Sequence, residues 1–140
     1  MNTEVEPRFL SIENVLQAHD FSIERTGGSP GVRDLGLLQS ALMMPQQQFG
    51  GHFLHEGFAG KAAAYLYHIA ANHPFIDGNK RTATLAALAF LDINGIEPLP
   101  APEELERVTW AIADGSMSKA ELAAWFALQL GEPVPTSDEE

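Results

Sequence analysis

The sequence predicts an all-α fold, about six helices packed around a buried central one. Three observations carry this. Apolar residues recur at helical spacing in six segments. Capping or breaking residues bound most of those segments. Strand signals are nearly absent, with room for at most one short hairpin between Gln46 and His55.

The first helix spans about Ser11 to Thr26, with Ile12, Val15, Leu16 and His19 on one face and Gly27 as its stop. Gly27-Gly28-Ser29-Pro30-Gly31 is too rich in glycine and proline for a helix or strand interior. Asp34 opens a short helix carrying Leu37, Leu38, Ala41 and Leu42, which ends at Pro45. Gln46 to Glu56 is polar and irregular. Gly57 to Asn72 returns to helical spacing through Phe58, Ala62, Tyr65, Leu66 and Ile69. Arg81 to Asn94, closed by Gly95, is apolar almost all round, which predicts the central buried helix. Pro102, tolerated in a first turn, begins the next helix, which runs to Gly115. Ser118 and Glu121 form a capping box for the last, with Leu122, Trp125, Phe126 and Leu130. At 140 residues the chain is one domain, assigned to residues 1–130, with 131–140 expected to be a disordered acidic tail.

Composition narrows the function. Cysteine is absent, so disulfides, thiolate metal sites and a cysteine nucleophile are excluded together. The net charge of −11 argues against direct nucleic-acid binding, which needs clustered cations. No secretory signal and no membrane-spanning apolar run is found, so a cytoplasmic protein with no membrane contact is expected. Against this acidic background the pair Lys80-Arg81 stands out.

That pair closes the segment His73-Pro74-Phe75-Ile76-Asp77-Gly78-Asn79-Lys80-Arg81, which leads into the apolar helix. A helix amino end carries unpaired N–H groups and a positive dipole end, both of which favour anions. Gly78 allows a sharp bend and close approach to a ligand. Asn79 can donate through its amide. Lys80 and Arg81 add cations, and arginine can grip phosphate bidentately. Asp77 is a hard carboxylate suited to Mg²⁺. His73 can take a proton from a hydroxyl. Singly, each residue has an ordinary explanation. Asp-Gly-Asn is common turn chemistry, and Asp77 could simply cap the helix. Their convergence on one loop favours function.

This loop resembles the signature of the Fic/Doc family, His-x-Phe-x-Asp/Glu-Gly/Ala-Asn-Lys/Gly-Arg, at His73, Phe75, Asp77, Gly78, Asn79, Lys80 and Arg81. The upstream stretch Gly28 to Leu42 and the segment Lys80 to Ala83, followed by an apolar helix ending Asn94-Gly95, resemble its death-on-curing (Doc) branch. The similarity covers about residues 9–130. It implies that His73 is a general base for a protein hydroxyl and that Asp77 positions Mg²⁺. It further implies that Gly78, Asn79 and Arg81 hold the phosphates of ATP, and that Phe75 is a core anchor. Lys80, where AMP-transferring relatives usually have glycine, implies phosphoryl transfer from ATP to a threonine of elongation factor Tu, arresting translation. An inhibitory Ser/Thr-x-x-x-Glu helix is not found in a usable place, since the only such spacing is Thr136 with Glu140. The resemblance therefore implies inhibition in trans by a cognate antitoxin.

Other signals fail or stay open. Gly78-Asn79-Lys80-Arg81-Thr82 lacks the earlier glycine of a Walker A loop, and His55-Glu56 has Ala59 where a zinc-protease helix needs histidine. His52 and His55 are expected in a flap rather than at a metal. His68 is expected on a helix surface or in packing. Tyr65, Tyr67, Trp110 and Trp125 are expected to serve packing at a core or an interface. AMP transfer, a non-catalytic binding module and a nucleic-acid effector remain as alternatives.

Overall fold

The computed structural model describes residues 6–135. Within them the chain folds into α1 (Ile12–Thr26), α2 (Leu35–Met43), a single 3₁₀ turn (Met44–Gln46), strands β1 (Gln48–Phe49) and β2 (His52–Phe53), α3 (Gly57–Asn72), α4 (Asn79–Ile93), α5 (Pro102–Ala113) and α6 (Lys119–Leu130). The strands form the anticipated hairpin, pairing Gln48 with Phe53 and Phe49 with His52.

The helix ends follow local chemistry. Ser11 and Ser118 each accept a backbone N–H three residues on, and Asn14 and Glu121 reach back to complete both capping boxes. Asp34 caps α2 through Leu37 N–H. Pro45 does not simply stop α2. It is buried inside the 3₁₀ turn that follows.

The central helix is α3, not α4. Every residue from Ala59 to Leu66 is buried, and α3 touches α2, the 3₁₀ turn, α4, α5 and α6. Its small alanines let neighbours approach from all sides. Its one charged residue, Lys61, stays inside by donating to the carbonyls of His55 and Gly57 and lying over the Phe53 ring. In α4, by contrast, Leu85 and Leu88 are only half-buried, because that side faces a groove. Phe90 of α4 packs among Phe9, Phe58 and Tyr65. Such aromatic pairs add about 0.5–1.5 kcal/mol each beyond burial.

Helix α3 has no side-chain cap of its own. Glu132, just beyond α6, reaches its amino end and accepts N–H bonds from Phe58 (3.1 Å) and Ala59 (3.0 Å). Tertiary packing therefore continues to Glu132, within the segment expected to be a tail. Thr136 and Glu140 lie outside the described residues.

His68 and His55 meet Lys119 between α3 and α6, and the Lys119 ammonium lies 2.9 Å from His68 Nε2. Burial first, then the Lys119 charge, lowers both imidazoles to about 4. An imidazole neutral in the fold but titrating near 6.5 when unfolded stabilises the protein above pH 6.5, and this contribution is lost as pH falls from 6.5 towards 4. Urea unfolding across that window should show falling stability, with a shallower slope in His68→Gln. Glu132→Ala should lower stability by about 1–2 kcal/mol in the same assay at pH 7, since it strips the charged cap from α3.

Candidate functional site

The loop His73–Gly78 joins the central helix to α4 and is pinned from three sides. On the first side the stretch Gly28–Asp34 runs against it. Val32 bridges Phe75, Ile76 N–H donates to Gly31 O, and Pro74 O accepts from both Arg33 and Asp34 N–H. On the second, the Arg33 guanidinium clamps the end of α3, with Nε to His73 O at 2.7 Å and Nη2 to Asn72 O at 2.9 Å. On the third, His19 of α1 is buried and stacks on Phe75 at 3.9 Å, while its Nε2–H donates to the Asp77 carbonyl at 2.8 Å.

Two residues of this connection have left-handed backbones. Gly78 (φ 78°) turns the chain into α4, and a Cβ there would press on Ile23 Cδ1 at 3.2 Å. His73 (φ 51°) is the one non-glycine residue with positive φ among those described. That conformation costs about 1–3 kcal/mol and persists only where surroundings enforce it. Here the Arg33 clamp enforces it.

Helix α4 begins at Asn79, two residues earlier than the sequence predicts, because Gly78 supplies the cap. Lys80 and Arg81 therefore sit in its first turn. No side chain caps that end. The Asn79 amide is instead engaged by the loop, accepting from Phe75 N–H (2.9 Å) and donating to Phe75 O (3.0 Å). The N–H groups of the first turn are thus left without a side-chain cap, the condition under which a helix end attracts anions.

Asp77 lies beside this end. Its Oδ2 accepts Ser29 N–H at 3.0 Å and its Oδ1 accepts Gly78 N–H at 2.9 Å. These two bonds, Ser29 first, hold the carboxyl below the ordinary carboxylate range. Each oxygen keeps lone pairs facing solvent, which fits a hard, oxygen-seeking cation that takes its remaining ligands from substrate. No cluster of three or more acidic or histidine ligands is present among the described residues.

Asp77, Gly78, Asn79, Lys80 and Arg81 all line one groove of about 480 Å³. Leu85 and Leu88 of α4, Thr26 of α1, and Glu103, Glu106 and Trp110 of α5 complete it. His73 is exposed on the loop upstream and is not among the lining residues. Trp110 is not core. It is 58% exposed, with the Lys80 ammonium 4.2 Å from its ring centroid. His52 lies exposed in β2 and His55 just beyond the hairpin, neither on a helix.

Sequence reading missed the braces. His19 looked like one more residue on an apolar face, and Arg33 and Gly28 like parts of a loop. The glycine at 28 had a readable signal only in the Gly-Gly-Ser-Pro-Gly run. A Cβ at Gly28 would stand 2.6 Å from Asp77 Oδ2. Gly28→Ala should therefore push the carboxylate off Ser29 N–H, and the Asp77 carboxyl titration followed by NMR should move up towards the ordinary range. An unmoved titration would show that the carboxylate is not held by this contact.

Comparison with known proteins places this geometry. Residues 9–91 match the Fic/DOC family. A protein named Toxin Doc from Mycolicibacterium smegmatis is 42% identical over 99 residues, covering 71% of this chain and 73% of its own length. Protein kinase doc of Escherichia phage P1 is 35% identical over 116 residues, covering 83% and 90%. The braced loop, the uncapped helix end and these matches agree, and the chain belongs to the Fic/Doc family.

Proposed function

We propose that this chain is a Doc-like toxin of a toxin–antitoxin pair, transferring the γ-phosphoryl group of ATP to a serine or threonine hydroxyl of a protein. One observation carries the reading: an ionised carboxylate, an uncapped helix end and two cations face the same groove. Similarity to proteins named Toxin Doc and Protein kinase doc supports the toxin and kinase assignments over AMP transfer.

On this reading the phosphates lie at the amino end of α4, where Gly78 turns the chain, and are met by the first-turn N–H groups beyond Gly78 and by Asn79, Lys80 and Arg81. Asp77 would hold Mg²⁺, which would supply positive charge to offset that of the phosphates. The target hydroxyl approaches from the His73 side, outside the groove. His73 takes its proton as the oxygen bonds to the γ-phosphorus. The bond from that phosphorus to the β–γ bridging oxygen breaks, and ADP departs with the electron pair. The cations and N–H groups stabilise the charge that develops on the leaving oxygen, and such fixed electrostatics is where most acceleration arises in phosphoryl transfer.

Elongation factor Tu is the proposed target, with translation arrest as the outcome and the cytoplasm as the compartment. Among the described residues no helix is long and apolar enough to cross a membrane. Restraint is assigned to a cognate antitoxin acting in trans. Residues 1–130 are taken as the functional domain.

With ATP labelled at the γ-phosphate, a lysate protein should become labelled, and with the α-phosphate labelled none should. Label from the α-phosphate would reassign the chain to AMP transfer. No label from either, at high protein concentration, would leave a binding module. His73→Ala should lower transfer by roughly 10²–10⁴-fold while keeping ATP affinity, whereas Arg81→Ala should weaken both. Undiminished transfer by the His73 variant would remove the base assignment.

A further inference from the structure

Trp110 exposes a large indole in a place where α5 has no packing reason to put one. It lies on the groove wall, next to the buried Thr109. The Thr109 and Thr84 hydroxyls are 2.9 Å apart, and with one proton each, one donates to the other while the acceptor donates back to its own helix, Thr84 to Lys80 O or Thr109 to Leu105 O. One hydroxyl–hydroxyl contact thus joins α4 to α5, beside Trp110 and one turn from Lys80. Across this joint the Lys80 ammonium lies 4.2 Å from the indole centroid.

Lys80 has carboxylates nearby to choose from, since Glu103 and Glu106 line the same groove. Yet the one ion pair among the described residues is Arg107 with Glu104. The difference matters chemically. A carboxylate partner would cancel the charge of Lys80 and compete with any incoming anion. An indole face attracts the ammonium through its quadrupole and leaves the positive charge uncancelled. A free lysine side chain also loses much rotamer freedom when it grips a phosphate. Held against a ring, it has lost part of that freedom beforehand.

We infer that Trp110 is a positioning residue. Its indole holds the Lys80 ammonium across the groove, so that a nucleotide phosphate meets a cation already placed. This rests on the reading of the groove as a nucleotide site. The effect belongs to binding rather than to the chemical step, because the pair exists before any bond changes.

The test uses the full chain with ATP and MgCl₂. Trp110→Leu should raise both the calorimetric Kd and the KM for ATP roughly 3- to 10-fold, the range of an exposed to partly desolvated cation–π contact, with kcat unchanged. Trp110→Phe should recover most of the loss. In a Lys80→Met background, Trp110→Leu should add nothing further. Independently of ATP, the Lys80 side-chain protons should be shifted upfield by the indole ring current, and Trp110→Leu should abolish that shift. An equal Kd loss in both backgrounds, a fall confined to kcat, or an absent upfield shift would overturn the inference. A chain that binds ATP as described but moves no phosphate would sink the transfer reading and leave the pair standing. A chain that binds no ATP would sink both.

Discussion

The turn between α3 and α4 is the constraint on which the rest depends. Two tightly packed helices must be joined through His73–Gly78, and the join enters and leaves by left-handed residues. A left-handed histidine is unfavourable by about 1–3 kcal/mol. Net hydrogen bonds contribute about 0.5–1.5 kcal/mol each, so a few suffice to offset it. The Gly28–Asp34 stretch supplies more than a few, through Ser29, Arg33, Asp34 and the Gly31 carbonyl. Most of the loop's polar groups are thereby bonded within the protein, while the start of α4 has no side-chain cap.

The same economy explains why α4 carries more apolar surface than it buries. A helix apolar almost all round reads as central, yet the alanine-rich α3 takes the centre because small side chains permit close approach on every side. Leu85 and Leu88 then remain half-buried along the groove. Surface that a purely structural helix would bury is left in the same groove as the amino end of α4. The overall charge of −11 repels anions at long range. At physiological salt that field decays over about 8 Å, so the field inside the groove is set by the groups that line it, Lys80, Arg81 and the helix end against Asp77, Glu103 and Glu106.

Much of this was legible in the sequence, for identifiable reasons. Capping boxes at Ser11 and Ser118, Asp34 as a cap and Gly27 as a stop are local rules, and the elements they bound appear where expected. The loop signature was legible because its residue types are unusual together. What was not legible depends on distant pairs. Glu132 capping α3, His19 stacking on Phe75 and Arg33 clamping α3 each join residues far apart in sequence, and no local pattern marks either partner. The start of α4 was misplaced because Asn79 looks like a loop residue until Gly78 is seen to provide the turn. Trp110 at helical spacing gave no sign that its ring faces outward.

One electrostatic tension in the groove follows from the geometry. Asp77 is kept ionised by two backbone N–H groups beside a helix end that attracts anions. An ionised carboxylate there partly satisfies the helix end and repels a phosphate, so alone it works against nucleotide binding. On the proposed Mg²⁺ reading, a cation held by Asp77 would offset that repulsion. Of Lys80 and Arg81, only Lys80 helps to hold Asp77 ionised, and it does so least of the causes, behind the two N–H groups and His19. Neither makes an ion pair with it, and Lys80 is drawn towards Trp110 instead. The carboxylate and the nearest fixed cation are thus held chiefly by different partners, Asp77 by the Ser29 and Gly78 N–H groups and Lys80 by the Trp110 ring.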